Sequence, residues 1–324
     1  MIDRIQIERP VSEAFKLFEA EFAQALQSEI HTIRAAVDTL QQSNGKHIRP
    51  LLLLLAAKAC GQAGTGAVRA AVMLELLHTA SLIHDDVVDD TKQRRGVPSL
   101  NAVYDNRVAV LVGDFFFSDS FMRVMEMENL QILRIMAQLT HEMTEGEIKQ
   151  LENADRLILT EEEYFVVLEK KTAMLLASCA EIGAITAGAP AELQQMCRTF
   201  GKQLGYCFQI RDDIFDYFDD AQTGKPSGND LREGKVTLPL LHVLETAAPA
   251  EKAPYMDMLL EKNFTPDRIA ALLRFARENG GIAYAEARMN AYREQATAII
   301  RTLPASEARD SLLLLADYLV ERTR

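Results

Sequence analysis

Apolar residues return every three or four positions through segment after segment of this chain, as in EAFKLFEAEFAQAL, VRAAVMLELLHTASLI, EEEYFVVLEKKTAMLLASCAEI and IAYAEARMNAYREQATAII. That spacing lays an apolar stripe along one side of a helix. No convincing hairpin signal and no strand–helix–strand alternation interrupts it. Start and stop signals agree. Thr160-x-x-Glu163 reads as a capping box. Thr265-Pro266 reads as an N-cap with proline at the first helical position, and Gly280-Gly281 as a break. The pattern dictates an all-α bundle of about ten or more helices with short connections.

No low-complexity linker divides the 324 residues, so one all-helical domain over 1–324 is expected. An apolar content of 48% supplies a large core. The net charge of −12 argues against nucleic acid as a partner, because phosphate backbones select basic surfaces. The longest apolar run, LLLLLAA (51–57), ends at Lys58 and is far too short to cross a bilayer. MIDRIQIERPVSEAF lacks the apolar segment of a secretion signal. Cys60, Cys179, Cys197 and Cys207 show neither CxxC pairing nor metal-like spacing. They read as buried free thiols of a cytoplasmic protein.

Two clusters break the ordinary pattern. HDDVVDD (84–90) and RDDIFDYFDD (211–220) crowd carboxylates that repel one another. Each follows an apolar segment, ELLHTASLI or KQLGYCFQI. On a helix, residues four apart are displaced by roughly 40° and share a face. Asp85 therefore points with Asp89, and Asp212 with Asp216, while Asp86 and Asp213 sit to one side. Two carboxylates one turn apart suit a hard divalent cation such as Mg²⁺, which takes oxygen ligands and is usually completed by substrate phosphates. A solvated acidic face is the bland alternative for a single DDxxD, but less so for two. Three loops, SNGKHIRP, TKQRRGVPS and AQTGKPSGNDLREGK, add Lys and Arg, the donors that a phosphate held by metal on one side needs on the other.

With these motifs the chain resembles the trans-isoprenyl diphosphate synthases, or polyprenyl synthetases. The matching stretches are NGKHIRP, LLHTASLIHDDVVDDTKQRRG, VGD (112–114), GEIKQ (146–150), KKTA (170–173), FQIRDDIFD (208–216) and GKPSGNDLREGKVTLP (224–239). The resemblance implies a helical bundle around a central cavity, normally a homodimer. It implies that Asp85, Asp86, Asp89, Asp212, Asp213 and Asp216 bind the Mg²⁺ ions that chelate an allylic diphosphate. Arg94, Lys171, Thr172, Gln209, Lys225 and Lys235 match positions that hold or flank that diphosphate. Lys46, Arg49, His78 and Arg95 match the set for isopentenyl diphosphate. Gly113 and Asp114 match a structural element, and His84 reads as structural too. Departures from the family pattern are Asn44 for a glycine, His47 for an arginine and Asn229 for a lysine.

The implied reaction is ionisation of the allylic diphosphate, attack by isopentenyl diphosphate and loss of a proton to the departed diphosphate, with water excluded. The positions that close the family's cavity when aromatic are Ala80 and Ser81, both small. Leu77 and Leu74, with Met136 and Ile135 on the helix expected to face them, then form a deeper floor. That implies a long all-trans product of the octaprenyl type, formed from farnesyl diphosphate, with at most peripheral membrane contact for its release. The alternatives are a medium-chain geranylgeranyl-type product, a class I terpene cyclase and a non-catalytic partner subunit. The last two fit poorly with a complete second DDxxD and with Lys46, Arg49 and Arg95.

Overall fold

The computed structural model describes residues 3–42, 45–94, 96–219 and 227–321. The first third holds α1 (Arg4–Glu8), a 3₁₀ turn, α2 (Ser12–Ala25), α3 (His31–Gln41), α4 (Ile48–Cys60) and α5 (Thr65–Val88). Two short strands follow, β1 (Gln93–Arg94) and β2 (Val97–Pro98), then α6 (Leu100–Val103). Next come α7 (Asn106–Glu126), α8 (Leu130–Arg156), α9 (Glu161–Leu168), a π turn (Glu169–Ala173), α10 (Met174–Thr186) and α11 (Ala191–Phe215). The remainder is α12 (Asn229–Arg232), α13 (Leu238–Thr246), α14 (Pro249–Leu260), α15 (Pro266–Glu278), α16 (Gly281–Arg301) and α17 (Glu307–Glu321).

The bundle is built around α4, α5, α10 and α11. The heaviest packing joins α10 to α11 and α4, α5 to α7, and α11 to α16. The run LLLLLAA is the body of α4, and Leu51 to Leu55 are all completely buried. A helix apolar all round belongs in a core. Each of those leucines contributes roughly 2 kcal/mol of transfer free energy. Among the described residues one helix, α5, has the length and hydropathy of a membrane span, but its apolar window is 72% buried by its neighbours. The main core cluster runs from Ile7 to Leu319, so both ends of the chain fold onto the same interior.

Helix starts follow local chemistry. Asp105 accepts from the Val108 amide at 2.8 Å, and Asn129 accepts from the amides of Gln131 and Ile132. Thr160 accepts from the Glu163 amide at 3.3 Å, so the threonine half of the capping box forms. Glu163 itself turns away to pair with Lys149. Thr265 caps α15 ahead of Pro266, and α15 gives way to α16 at Gly280-Gly281. One element escapes the periodicity: β1 and β2 form a short antiparallel hairpin, with Gln93 opposite Pro98 and Arg94 opposite Val97. Two residues per strand are too few to leave an alternating pattern.

The His84 imidazole lies against α7 at Gly113. A Cβ there would fall 2.3 Å from His84 Nε2, so a larger residue would make the imidazole turn aside. His84 Nε2 donates to the Val110 carbonyl at 3.2 Å and lies 3.4 Å from Asp114 Oδ1.

Candidate active site

Both aspartate clusters sit at helix C-termini. Asp85 and Asp86 lie in the last turn of α5 and Asp89 is its C-cap. Asp212 and Asp213 lie in the last turn of α11 and Asp216 is its C-cap. The unpaired carbonyls of a helix C-terminus carry partial negative charge, so carboxylates there are disfavoured unless cations answer them.

The described cations do answer, in part. Arg94, on β1, grips Asp86 Oδ1 through Nε at 2.9 Å and Nη2 at 2.7 Å. Lys235 donates to Asp89 Oδ2 and to Glu233 Oε2, both at 2.8 Å. Burial works to lower the Lys235 pKa, but Glu233 and Asp89 outweigh it and hold the ammonium above its ordinary value. The same stretch closes on the second cluster. Asp216 accepts from the backbone amides of Asn229 and Asp230 at 2.9 and 3.0 Å, and the Lys235 amide donates to the Asp230 carbonyl at 2.7 Å. Asp89 and Asp216 are thus joined through Lys235 and Asp230.

A second link runs through the π turn between α9 and α10. Gly205 of α11 allows it: a Cβ there would fall 2.3 Å from the Ala173 Cα. Local π geometry often marks functional positions. Thr172 donates to Gln209 Oε1 at 2.9 Å, Gln209 donates to Asp213 Oδ1 at 2.8 Å, and Tyr164 donates to Asp213 Oδ2 at 2.6 Å. Asp213 is buried, and burial pushes its pKa up to about 7 although Tyr164 and Gln209 oppose the shift. Lys171, from the same turn, pairs with Glu147 and donates to Gln150 Oε1 at 3.0 Å. Lys171, Thr172, Gln209, Asp213, Asp230 and Lys235 line one cavity of about 210 Å³.

Asp85 stands apart from the other assigned ligands. Its carboxylate accepts no hydrogen bond and forms no ion pair among the described residues. Burial pushes its pKa up to about 6; Lys171 opposes this, while Glu147 and Asp89 add to it. A carboxylate with no direct ion pair, beside Asp89, suits a cation. Among the described residues no three His, Cys, Asp or Glu side chains form a ready-made metal cage. That fits a metal completed by water and phosphate rather than by protein alone.

The loop before α4 presents the other basic set. His47 holds a left-handed backbone, φ +39°, an uncommon state outside glycine that clusters at functional sites. Its ring lies edge-on to Phe18 and Phe22, and its Nδ1 is 2.8 Å from Glu75 Oε1. Lys46 makes no hydrogen bond or ion pair with the described residues. The Arg49 guanidinium sits 5.8 Å over the Phe208 ring on α11, one residue before Gln209. His78 is buried on α5, two turns before Asp85. Arg95, Lys225 and Asn44 lie outside the described residues.

On the chain-length side, Ala80 and Met136 are completely buried, Leu77 and Leu74 nearly so, and Ser81 is only partly buried. All but Ser81 belong to the main core cluster, although α5 packs chiefly on α7, and α8 chiefly on the π turn and then on α10. Four polar residues outside the family assignments belong to this constellation. Tyr164 fixes Asp213, Glu147 pairs with Lys171, Glu75 pairs with His47, and Asp230 is held neutral-leaning by burial against Asp213 and Asp216. Glu147 and Asp230 sat in the quoted motifs GEIKQ and GKPSGNDLREGKVTLP; Tyr164 and Glu75 carried no signal.

Comparison with known proteins gives the same direction. The model of the family described as polyprenyl synthetase matches residues 30–275. The octaprenyl diphosphate synthase of Escherichia coli K12 is 35% identical over 306 residues, 94% of each chain. The heptaprenyl diphosphate synthase component 2 of Geobacillus stearothermophilus is 36% identical, covering 96% of this chain and 97% of that one. Among solved structures, the Caulobacter crescentus polyprenyl synthase complexed with calcium and isoprenyl diphosphate superposes with a TM-score of 0.93 at 30% identity, covering 98% of each chain.

Proposed function

The chain belongs to the polyprenyl synthetase family, and from that premise we propose that it condenses isopentenyl diphosphate onto an allylic diphosphate to build a long all-trans polyprenyl diphosphate. The observation that carries this is the pair of carboxylate clusters ending α5 and α11, joined through Lys235 and Asp230, with Asp85 left open to a cation. Farnesyl diphosphate is the proposed starter and octaprenyl diphosphate the proposed product. Octaprenyl and heptaprenyl synthases stand at nearly equal identity, so chain length rests on the small Ser81 and Ala80.

Asp85, Asp86, Asp89, Asp212, Asp213 and Asp216, which end α5 and α11, are the residues proposed to hold Mg²⁺. Bound there, Mg²⁺ would supply positive charge against the leaving diphosphate. Arg94, Lys171 and Lys235 now face Asp86, Glu147 and Asp89. When substrate enters they exchange these carboxylates for phosphate oxygens, which are equally good acceptors. Thr172 and Gln209 orient the same group. Lys46, Arg49 and His78 hold isopentenyl diphosphate with its double bond toward the allylic carbon. Charge separation in the allylic C–O bond is stabilised by these fixed cations, and the proton lost after C–C bond formation goes to the departed diphosphate.

The working form is proposed to be a cytoplasmic homodimer folded as one domain, with no more than peripheral membrane contact. An apolar strip on α7 supports the dimer: Leu111, Met122 and Met125 are 67%, 61% and 62% exposed. The test is product analysis. Purified protein is incubated with farnesyl diphosphate, excess isopentenyl diphosphate and Mg²⁺, and the product's carbon number is read by mass spectrometry against a metal-free control. A metal-dependent product near eight isoprene units is expected. A four-unit product would overturn the chain length, and cyclised hydrocarbon without elongation would overturn the reaction.

A further inference from the structure

Four cysteines without a pairing pattern in sequence yield one pair in space. Cys60 is the last residue of α4, and Cys197 lies two turns into α11; their sulfurs are 3.6 Å apart although the residues are 137 apart in the chain. Cys197 is buried and Cys60 is partly exposed. Cys179 and Cys207 are buried, and the Cys207 thiol donates to the Met289 carbonyl at 3.4 Å. We propose that Cys60 and Cys197 are a redox-active thiol pair that closes to a disulfide by exchange with a small-molecule disulfide such as oxidised glutathione.

The exchange balances in two steps. The Cys60 thiolate attacks one sulfur of the small disulfide, and the glutathione thiolate leaves with the electron pair of the broken S–S bond and takes up a proton. Cys197 then loses its proton and attacks the Cys60 sulfur, and the second glutathione leaves as thiolate. The two protein thiols are oxidised and the small disulfide is reduced to two thiols. Sulfurs at 3.6 Å need to close to about 2.05 Å. Cys60 is the last residue of its helix, and Gly61 leaves the helical conformation, so no further helical turn holds the chain on its C-terminal side.

The order of attack follows from the surroundings. A hydrogen bond from the Cys197 thiol holds the Cys60 pKa below its ordinary value, against burial, while the Cys197 pKa is raised. Burial pushes Cys179 and Cys207 each up to about 12, which leaves them unreactive. The pair also sits at the pole remote from the diphosphates: α4 starts beside Lys46 and Arg49, and α11 ends at Asp212 and Asp213. A bond here would fasten the far ends of the two helices that carry the two substrate sites.

The experiment treats reduced full-length protein with excess oxidised glutathione, alkylates remaining thiols after denaturation, and maps peptides by mass spectrometry. The expected result is a Cys60–Cys197 cross-linked peptide, with Cys179 and Cys207 alkylated and the melting temperature raised over the reduced form. Cys60→Ser should abolish both the cross-link and the temperature rise, and Cys197→Ala should leave Cys60 as a lasting mixed disulfide with glutathione. Two results would overturn the proposal: a lasting mixed disulfide on Cys60 in the unmutated protein, or four alkylated cysteines after the same treatment.

Discussion

Lys235 Nζ lies 2.8 Å from Asp89 Oδ2, joining residues 146 apart and tying the stretch after the second aspartate cluster to the first. Each cluster ends its own helix and is electrostatically unfavourable alone. The lysine makes one site of the two.

Replacing Lys235 by methionine should therefore separate catalysis from folding. Methionine keeps the stem and removes the charge. Losing one fixed donor to a developing anion typically costs about 10²-fold or more in turnover. We expect kcat to fall by that order while far-UV circular dichroism stays unchanged. Steady-state kinetics with both diphosphates check it, and a kcat within threefold of the parent would remove Lys235 from the site.

The buried carboxyls predict an unusual pH dependence in the absence of divalent cation. The Asp85 pKa rises from 3.8 unfolded to about 6 folded. A group raised on folding binds its proton more tightly in the native state, so stability is lost as pH climbs through that window. The shift corresponds to about 3 kcal/mol from this residue alone, and Asp213, pushed up to about 7, extends the loss to higher pH. Chemical denaturation between pH 4 and 7.5 in chelator should show stability falling faster in the parent than in Asp85→Asn. Adding Mg²⁺ at pH 7.5 should restore the parent and not the variant, because only a native-state ligand shifts the balance. Parallel curves for the two proteins would mean that Asp85 is well compensated.

Much of this arrangement was legible beforehand, and the particular failures say why the rest was not. The helices, the clusters at their polar ends and the cap at Thr160 follow from local periodicity and local hydrogen bonding, which a sequence states directly. The hairpin at Gln93–Pro98 is too short to alternate. The bond from Tyr164 to Asp213 crosses 49 residues, and the sulfur contact of Cys60 with Cys197 crosses 137. Such contacts depend on how α4, α10 and α11 stack, and no spacing along the chain encodes that. Likewise the resemblance only implies phosphate contacts for Arg94 and Lys171, and only the fold reveals that each is already held by Asp86 or Glu147.

The first basic loop makes a prediction about substrate preference. His47 bonds one Glu75 oxygen, and the other, Oε2, is buried with no hydrogen-bond partner. An unpartnered buried acceptor costs about 1–3 kcal/mol. His47→Arg offers a forked donor to both oxygens, so it should stabilise the protein by about 1 kcal/mol and lower the KM for isopentenyl diphosphate. Glu75→Gln should release the loop and raise that KM several-fold, leaving the KM for the allylic substrate within twofold. Equal changes in both constants would mean that Glu75 supports the whole site rather than this loop.

The last prediction concerns where the product tail runs. Ser81 lies one turn before Asp85 on the same face, followed by Leu77 and Leu74; it is only partly buried, whereas Ala80 is completely buried on another side of α5. A phenylalanine at 81 has room to project beneath the carboxylates. One at 80 must displace packed neighbours, an overpacking that costs typically about 1–3 kcal/mol. Ser81→Phe should therefore shorten the product toward four isoprene units with little loss of stability. Ala80→Phe should lower the melting temperature by several degrees whatever it does to length. Product mass spectrometry and thermal unfolding of the two variants test this together. An unchanged product from a well-folded Ser81→Phe would mean that the tail leaves the diphosphates by another face of the bundle.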